Sequence, residues 1–247
     1  MRVISLVPSL TEAVAVTVPG VLVGATDWCS HPADLGADVV RVGGTKNPEV
    51  ERIVALAPDL VVANEEENRA PDLAALRDAG IEVLLTEVRD VPQAFRELAR
   101  VVTACGAGSR PGWLDEAESA WSAPERWRNT AADARTTAVV PVWRRPWMVL
   151  GRDTFAGDVL ARLGIDNAYA SHAERYPRVP LEELRAAARG GMVVLPDEPY
   201  RFTAEDGPEA FAGVPCALVS GRHLTWYGPS LAEAPRMLGE ALRAAHR

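Results

Sequence analysis

The residues best suited by type to do chemistry fall in six short segments. "TDWCSHP" holds Trp28, Cys29 and His31. An indole face can stack on a flat ring, and a thiolate and an imidazole can ligate a soft or borderline metal. C-x-H supplies only two ligands, with no third beside them. Cys29 reads as well as a small buried hydrophobe, and His31 as a turn partner before Pro32, so Cys29 and His31 remain candidates for a metal of unknown identity. "GGTKNP" follows. Gly43 and Gly44 permit close backbone approach to a ligand, and Thr45 and Lys46 can hold an anionic group beside a helix start; a plain strand-to-helix turn is the alternative. Lys46 is the only lysine, every other member of the 26 Lys+Arg being Arg. A GC-rich genome explains that bias, while a need for a compact ammonium at this one position is the sharper reading. "ANEEENR" places Glu65, Glu66 and Glu67 beside Asn68 and Arg69. Clustered carboxylates suit a cation or ligand amides and hydroxyls, and their repulsion raises a pKa; a solvated helix start is the alternative. Glu66 and Asn68 are the preferred ligand-facing pair.

The second half repeats the theme with aromatics. In "PVWRRPWMVLGRDT", Trp143 and Trp147 bracket Arg144 and Arg145, a combination suited to planar ligands bearing carboxylate or phosphate. Asp153 and Thr154 read as helix caps. "LPDEPYRF" adds Glu198, Tyr200, Arg201 and Phe202, and "SGRHLTWYGPS" adds His223, Trp226 and Tyr227. Turn chemistry at Pro199 and Pro229 and a packed aromatic cluster are the plainer readings. The expected pocket is aromatic, with charged groups fixing orientation. Its ligand-binding set is Trp28, His31, Thr45, Lys46, Glu66, Asn68, Trp143, Arg144, Trp147, Arg201, Trp226 and Tyr227. No G-x-S-x-G elbow, G-x-x-x-x-G-K-[ST] loop or H-E-x-x-H motif occurs, and the histidines His31, His172, His223 and His246 fall in no motif. No catalytic residue is assigned.

These segments need strands to carry them. Strands are expected at Val3–Val7, Leu22–Thr26, Val39–Val42, Leu60–Ala63 and Val83–Thr86, then at Thr137–Trp143, Met192–Pro196 and Ala217–Ser220. "LVVAN" and "MVVLP" are continuous apolar runs, as in parallel strands buried on both faces. Helical patterns alternate with them. Asn47 and Pro48 open "NPEVERIVALA", and Gly80 and Gly106 close two others. Strands alternating with helices mean an α/β fold. Residues 109–135 are helical in pattern without a strand, so the expected division is an α/β lobe at 1–108, a connector at 109–135 with a break at Pro124, and a second α/β lobe at 136–247. The 48% hydrophobic content of 247 residues supplies a sizeable core, and the net charge of −8 with no basic run argues against nucleic acid as a partner. Three scattered cysteines and no C-x-x-C pair fit a reduced protein. No stretch reaches the roughly 18 apolar residues of a membrane helix, so no insertion is expected. "MRVISLVPSLTEA" runs from Met into a strand with no signal-like segment. That places the chain in the cytoplasm as it stands, and in the periplasm or at the cell surface if a leader was removed.

"RVISLVPSLTEAV", "VGATDWCSHPAD" and "VGGTKNPEVERIVALAPDLVVANEEEN" resemble the N-terminal lobe of the helical-backbone metal-receptor superfamily, the class III periplasmic binding proteins. "GRDTFAGDVLARLGIDNAYA" and "RYPRVPLEELRAA" are similar to its second lobe. The nearest likeness is to the cobalamin-binding members of vitamin B12 importers. The resemblance implies two Rossmann-like lobes joined by one long helix, with a ligand cleft between the lobes. It implies cobalamin, another corrinoid, haem or a siderophore as a non-covalent ligand, and an ABC permease as partner. By motif position it makes Glu51 and Glu182 the permease-docking acids; solvated acids at helix starts are the alternative. Fold does not fix function, so a cytosolic enzyme or small-molecule sensor reusing the fold stands as the second reading.

Overall fold

The computed structural model describes residues 1–124 and 135–245. His246 therefore lies outside the described residues. The chain forms two compact units. The first comprises Met1–Val88, Pro92–Glu116 and Tyr227–Pro229, and the second comprises Arg89–Val91, Ala117–Trp226 and Ser230–Arg247.

The first unit is built on a parallel sheet of β1 (Val3–Ser5), β2 (Leu22–Ala25), β3 (Val40–Arg41), β4 (Leu60–Asn64) and β5 (Glu82–Thr86), in the order β3-β2-β1-β4-β5. β4 lies between β1 and β5, with Val61 opposite Ile4 and Val83. All of β4 is buried, as its continuous apolar run requires. Ile4, Leu6, Val42, Ile53, Val61, Leu73 and Leu76 form one core cluster between this sheet and the helices α2 (Val50–Ala55) and α3 (Ala70–Asp78). The expected first strand stops at Ser5, because Pro8 opens α1 (Pro8–Thr17) and Val7 is its extended N-cap. Asn47 does not cap α2. That helix starts at Val50 with Glu49 as N-cap, and Pro48 instead bridges Gly43. Gly80 and Gly106 do end α3 and α4 (Val91–Ala104) with positive φ, 81° and 96°.

The second unit holds a parallel sheet of β6 (Thr136–Val139), β9 (Ile165–Asn167), β10 (Met192–Pro196) and β11 (Cys216–Val219), in the order β11-β10-β6-β9. The run Thr137–Trp143 is not one strand. β6 stays in the parallel sheet, while β7 (Pro141–Arg144) pairs antiparallel with β8 (Trp147–Val149). Pro141 sits at the change of partner, where a residue without an N–H cannot extend a ladder on both sides. β8 and β9 are three residues each and carry no periodicity long enough to read. Val139, Val149, Leu184, Val193, Leu195, Phe202 and Phe211 make the core, with Leu184 supplied by α7 (Leu181–Ala187).

The expected connector at 109–135, with its break at Pro124, is described only in part. α5 covers Gly112–Ser122, and the division between the units falls inside it, after Glu116. The rest of that expected connector, 125–134, lies outside the described residues.

Candidate functional site

In the first unit all five strands are parallel, so the loops after them gather at one sheet edge, the usual ligand edge of an α/β sheet. The loop after β2 carries Trp28, 69% exposed. Its indole lies against the backbone of Gly44 from the loop after β3: a Cβ at Gly44 would meet Trp28 Nε1 at 3.4 Å. The Asp27 N–H donates to Gly43 O at 2.9 Å, tying the two loops together. The Arg41 guanidinium donates to the carbonyls of Thr26 at 2.7 Å and Cys29 at 3.2 Å. Trp28 is thus an exposed flat face on a braced support.

Cys29 points the other way. It is 2% exposed, with Sγ at 3.1 Å from Thr11 Oγ1 and 3.2 Å from Thr26 Oγ1, and burial pushes its thiol pKa up. A thiol held protonated in the core is a poor metal ligand. His31 is half-buried, its Nδ1 3.1 Å from Ser30 Oγ. Among the described residues no group of three His, Cys, Asp or Glu is arranged to hold a metal. Cys29 is accordingly a buried core residue.

The loop after β4 displays Glu65, Glu66 and Glu67 on a turn fastened at both ends by asparagines. Asn64 Oδ1 accepts from the Glu66 N–H at 2.9 Å, and Asn64 Nδ2 donates to Thr86 O and Oγ1 on β5. Asn68 Oδ1 accepts from the Asn64 N–H at 2.9 Å, and Asn68 Nδ2 donates to Leu6 O at 3.2 Å and Thr45 O at 3.0 Å. Asn68 is 4% exposed, so its amide is spent on backbone. Lys46 adds a further tie: its ammonium donates to the Glu66 carbonyl. Thr45 and Glu66 are half-buried, and Lys46 is exposed.

Glu67 ends the acidic run in a different environment. Tyr227, 5% exposed, donates its hydroxyl to Glu67 Oε1 at 3.4 Å. Burial, and then the charge of Glu66, push the Glu67 carboxyl up to about 7; Lys46 and the Tyr227 hydroxyl pull it back only partly. Burial and the charges of Glu67 and Glu66 push the Tyr227 phenol up as well. Around neutral pH this carboxyl is shared between its two protonation states.

The second unit presents its own aromatic row. Trp143, 42% exposed, meets Tyr200 edge-on with centroids 5.7 Å apart. Tyr200 lies 4.7 Å from Phe202, and Phe202 stacks on Trp147 at 6.1 Å. Trp147 also packs edge-on against Phe211 and belongs to the core margin. Arg144 lies over the Trp147 ring at 5.4 Å and pairs with both Asp206 and Glu209. Tyr200 Oη donates to Asp206 at 2.6 Å, which closes the network. Trp226 is 8% exposed and donates its indole N–H to Glu198 at 2.9 Å. His223 Nε2 meets Glu233 Oε1 at 2.9 Å. Arg145 and Arg201 are exposed. Thr154 caps α6 (Phe155–Arg162) by accepting from the Gly157 N–H.

The profile of the family described as periplasmic binding protein matches residues 3–207. The chain belongs to that family. The vitamin B12-binding protein of Vibrio parahaemolyticus is 24% identical over 187 residues, 74% of this chain and 66% of its own length. A Bacillus subtilis protein described as an uncharacterized ABC transporter substrate-binding lipoprotein is 27% identical over 176 residues, 68% of this chain and 55% of its own. The chain thus spans just under two thirds of the first and about half of the second. The periplasmic heme-binding protein RhuT of Roseiflexus sp. RS-1, in apo form, superposes with a TM-score of 0.82 at 20% identity, over 100% of this chain and 99% of that one. At that identity the likeness is one of fold, and it agrees with the expected α/β architecture of two lobes with parallel sheets.

Within this family member, Trp28, Thr45, Lys46, Glu66, Asn68 and Tyr227 all come to the strand-end edge of the first unit, Tyr227 by way of the segment Tyr227–Pro229. Trp143, Arg144, Trp147 and Arg201 belong to the second unit, but only Trp143 and Arg201 are exposed there. One contributor escaped sequence reading. Asn64 carries as much of the loop as Asn68, and the N-x-x-x-N spacing around three acids was the signal for it. Tyr200, a candidate from its segment, joins the aromatic row through its contacts with Trp143 and Phe202.

Proposed function

We propose that this chain is a substrate-binding protein that captures a planar metal macrocycle, a corrinoid or haem, for an ABC importer. The observation that carries the reading is Trp28: a 69%-exposed indole, backed by Gly44, at the ligand edge of a parallel sheet. Family membership supports it. So do relatives named as a vitamin B12-binding protein and as an ABC transporter substrate-binding lipoprotein. In the first unit, Trp28 supplies a stacking face, His31 and Thr45 line it, and Lys46 and Glu66 offer charge to the ligand's propionate or amide side chains. In the second unit, Trp143 and Arg201 play the corresponding parts. Arg144, Trp147 and Trp226 of the same unit are held by Asp206 and Glu209, by Phe202, and by Glu198. The metal travels as part of the ligand.

Glu51 and Glu182 are the proposed contacts with permease arginines. Both are exposed acids in the first turn of a helix, α2 and α7. Glu182 already holds Arg185 at 2.6 Å, so docking there exchanges one guanidinium for another. The work proposed is that of the family's periplasmic and lipoprotein members, and no helix among the described residues is long and apolar enough to cross a membrane.

Calorimetry with hydroxocobalamin and haemin tests the reading. One-to-one binding of one of them is expected. Trp28→Ala and Trp143→Ala should each cost roughly 1–3 kcal/mol of that affinity by removing a stacking face. Heat flat with both ligands, or wild-type affinity in both variants, overturns it.

A further inference from the structure

We propose that Asn68 is the positioning residue of the first unit's binding edge: one buried side-chain amide clasps the loops after three different strands and so sets where Trp28, Thr45 and Glu66 stand. The proposal rests on the reading of that edge as the ligand site.

The geometry is specific. The Asn68 side-chain carbonyl accepts from the Asn64 N–H at the end of β4. Its NH2 group donates one hydrogen to Leu6 O, in the loop after β1, and the other to Thr45 O, in the loop after β3. An asparagine amide offers an acceptor and two donors, and here all are used on main chain. The main-chain turn Asn68 N–H to Asn64 O, 3.0 Å, holds the amide in place. Thr45 adjoins Gly44, the residue backing the Trp28 indole, so the clasp on Thr45 O also locates the support beneath Trp28. At 4% exposure water cannot substitute for the lost partners cheaply. No other side chain among the described residues shown bonding here reaches all three loops: Asn64 reaches β5, and Lys46 joins only the third loop to the fourth. A ligand pocket assembled from separate loops needs such a brace to be ready before the ligand arrives.

Two measurements test this, and a third ties it to binding. In the wild-type protein the Asn68 side-chain NH2 protons should exchange with solvent far more slowly than those of exposed Asn47, read by NMR. Exchange as fast as that of Asn47 overturns the clasp without any variant. Asn68→Asp keeps the shape and the acceptor for Asn64 N–H, but turns an acceptor oxygen toward two carbonyls. With 5-fluorotryptophan incorporated and the Trp28 signal assigned by Trp28→Phe, that signal should move and broaden in a folded Asn68→Asp protein. The macrocycle that binds wild type should bind this variant about tenfold more weakly or worse. A folded variant with the wild-type Trp28 signal and wild-type affinity overturns positioning, because a merely structural asparagine lowers stability and leaves both unmoved. If wild type binds neither hydroxocobalamin nor haemin, the functional reading falls, and the exchange and fluorine measurements still decide the role of Asn68.

Discussion

Glu67→Gln is the sharpest perturbation of the first unit's edge. Its carboxyl titrates at about 7 in the folded chain against an ordinary 4.5, chiefly because burial penalises the anion. Each tenfold change in proton affinity is worth about 1.4 kcal/mol, so ionising Glu67 in place costs about 3 kcal/mol. Part of the side chain still meets water, which makes this an upper figure. The sign follows from linkage. Below about 4.5 the carboxyl is protonated in both folded and unfolded chains and costs nothing. Between 4.5 and about 7 only the unfolded chain ionises, so wild-type stability falls as pH rises. Above about 7 both are ionised and the deficit is constant. Glutamine keeps the size and an oxygen to accept from Tyr227, and does not titrate. The variant should therefore match wild type near pH 4 and exceed it by up to about 3 kcal/mol at pH 8, with the gap opening between. Urea unfolding followed by circular dichroism at a series of pH values measures this. Two parallel stability–pH curves would refute the reasoning, since they mean that the folded chain does not hold this proton. The carboxyl 13C shift, titrating near 7 in wild type, checks the same claim without unfolding.

Other outcomes follow from the geometry. Glu51→Ala and Glu182→Ala should leave ligand affinity unchanged and reduce uptake by cells carrying the cognate permease; unchanged uptake removes both from docking. Thr154→Ala should lower stability by about 1 kcal/mol through loss of the α6 cap, and Thr154→Ser should keep most of it, as read by thermal melting. The tryptophan substitutions in each unit should weaken macrocycle binding and leave the melting temperature nearly unchanged at exposed Trp28, where little packing is lost.

The α/β class and the positions of most strands were legible because they depend on local order. Buried parallel strands are continuous apolar runs, as at Leu60–Asn64 and Met192–Pro196, and loops after parallel strands must share an edge. The family could be read for the same reason: its marks lie in contiguous segments such as "VERIVALAPDLVV". The partners of polar side chains depend instead on what the fold brings near. Nothing local distinguishes Asn68, clasped to Leu6 and Thr45, from a loop asparagine facing a ligand. Arg144 and Arg145 are neighbours of the same type, yet the first is neutralised by Asp206 and Glu209, some sixty residues on, and the second is exposed. Cys29 and Trp28 are adjacent, and only the packing of Thr11 and Thr26 decides that the thiol turns inward and the indole outward. Glu67 shares a sequence with Glu65 and Glu66 and owes its displaced titration to burial beside Tyr227, a residue 160 positions away. Composition and periodicity carry the free energy of burying apolar surface, which is additive along the chain. Hydrogen bonds and charge pairs take their value from geometry and local dielectric, and these exist only once the chain has folded.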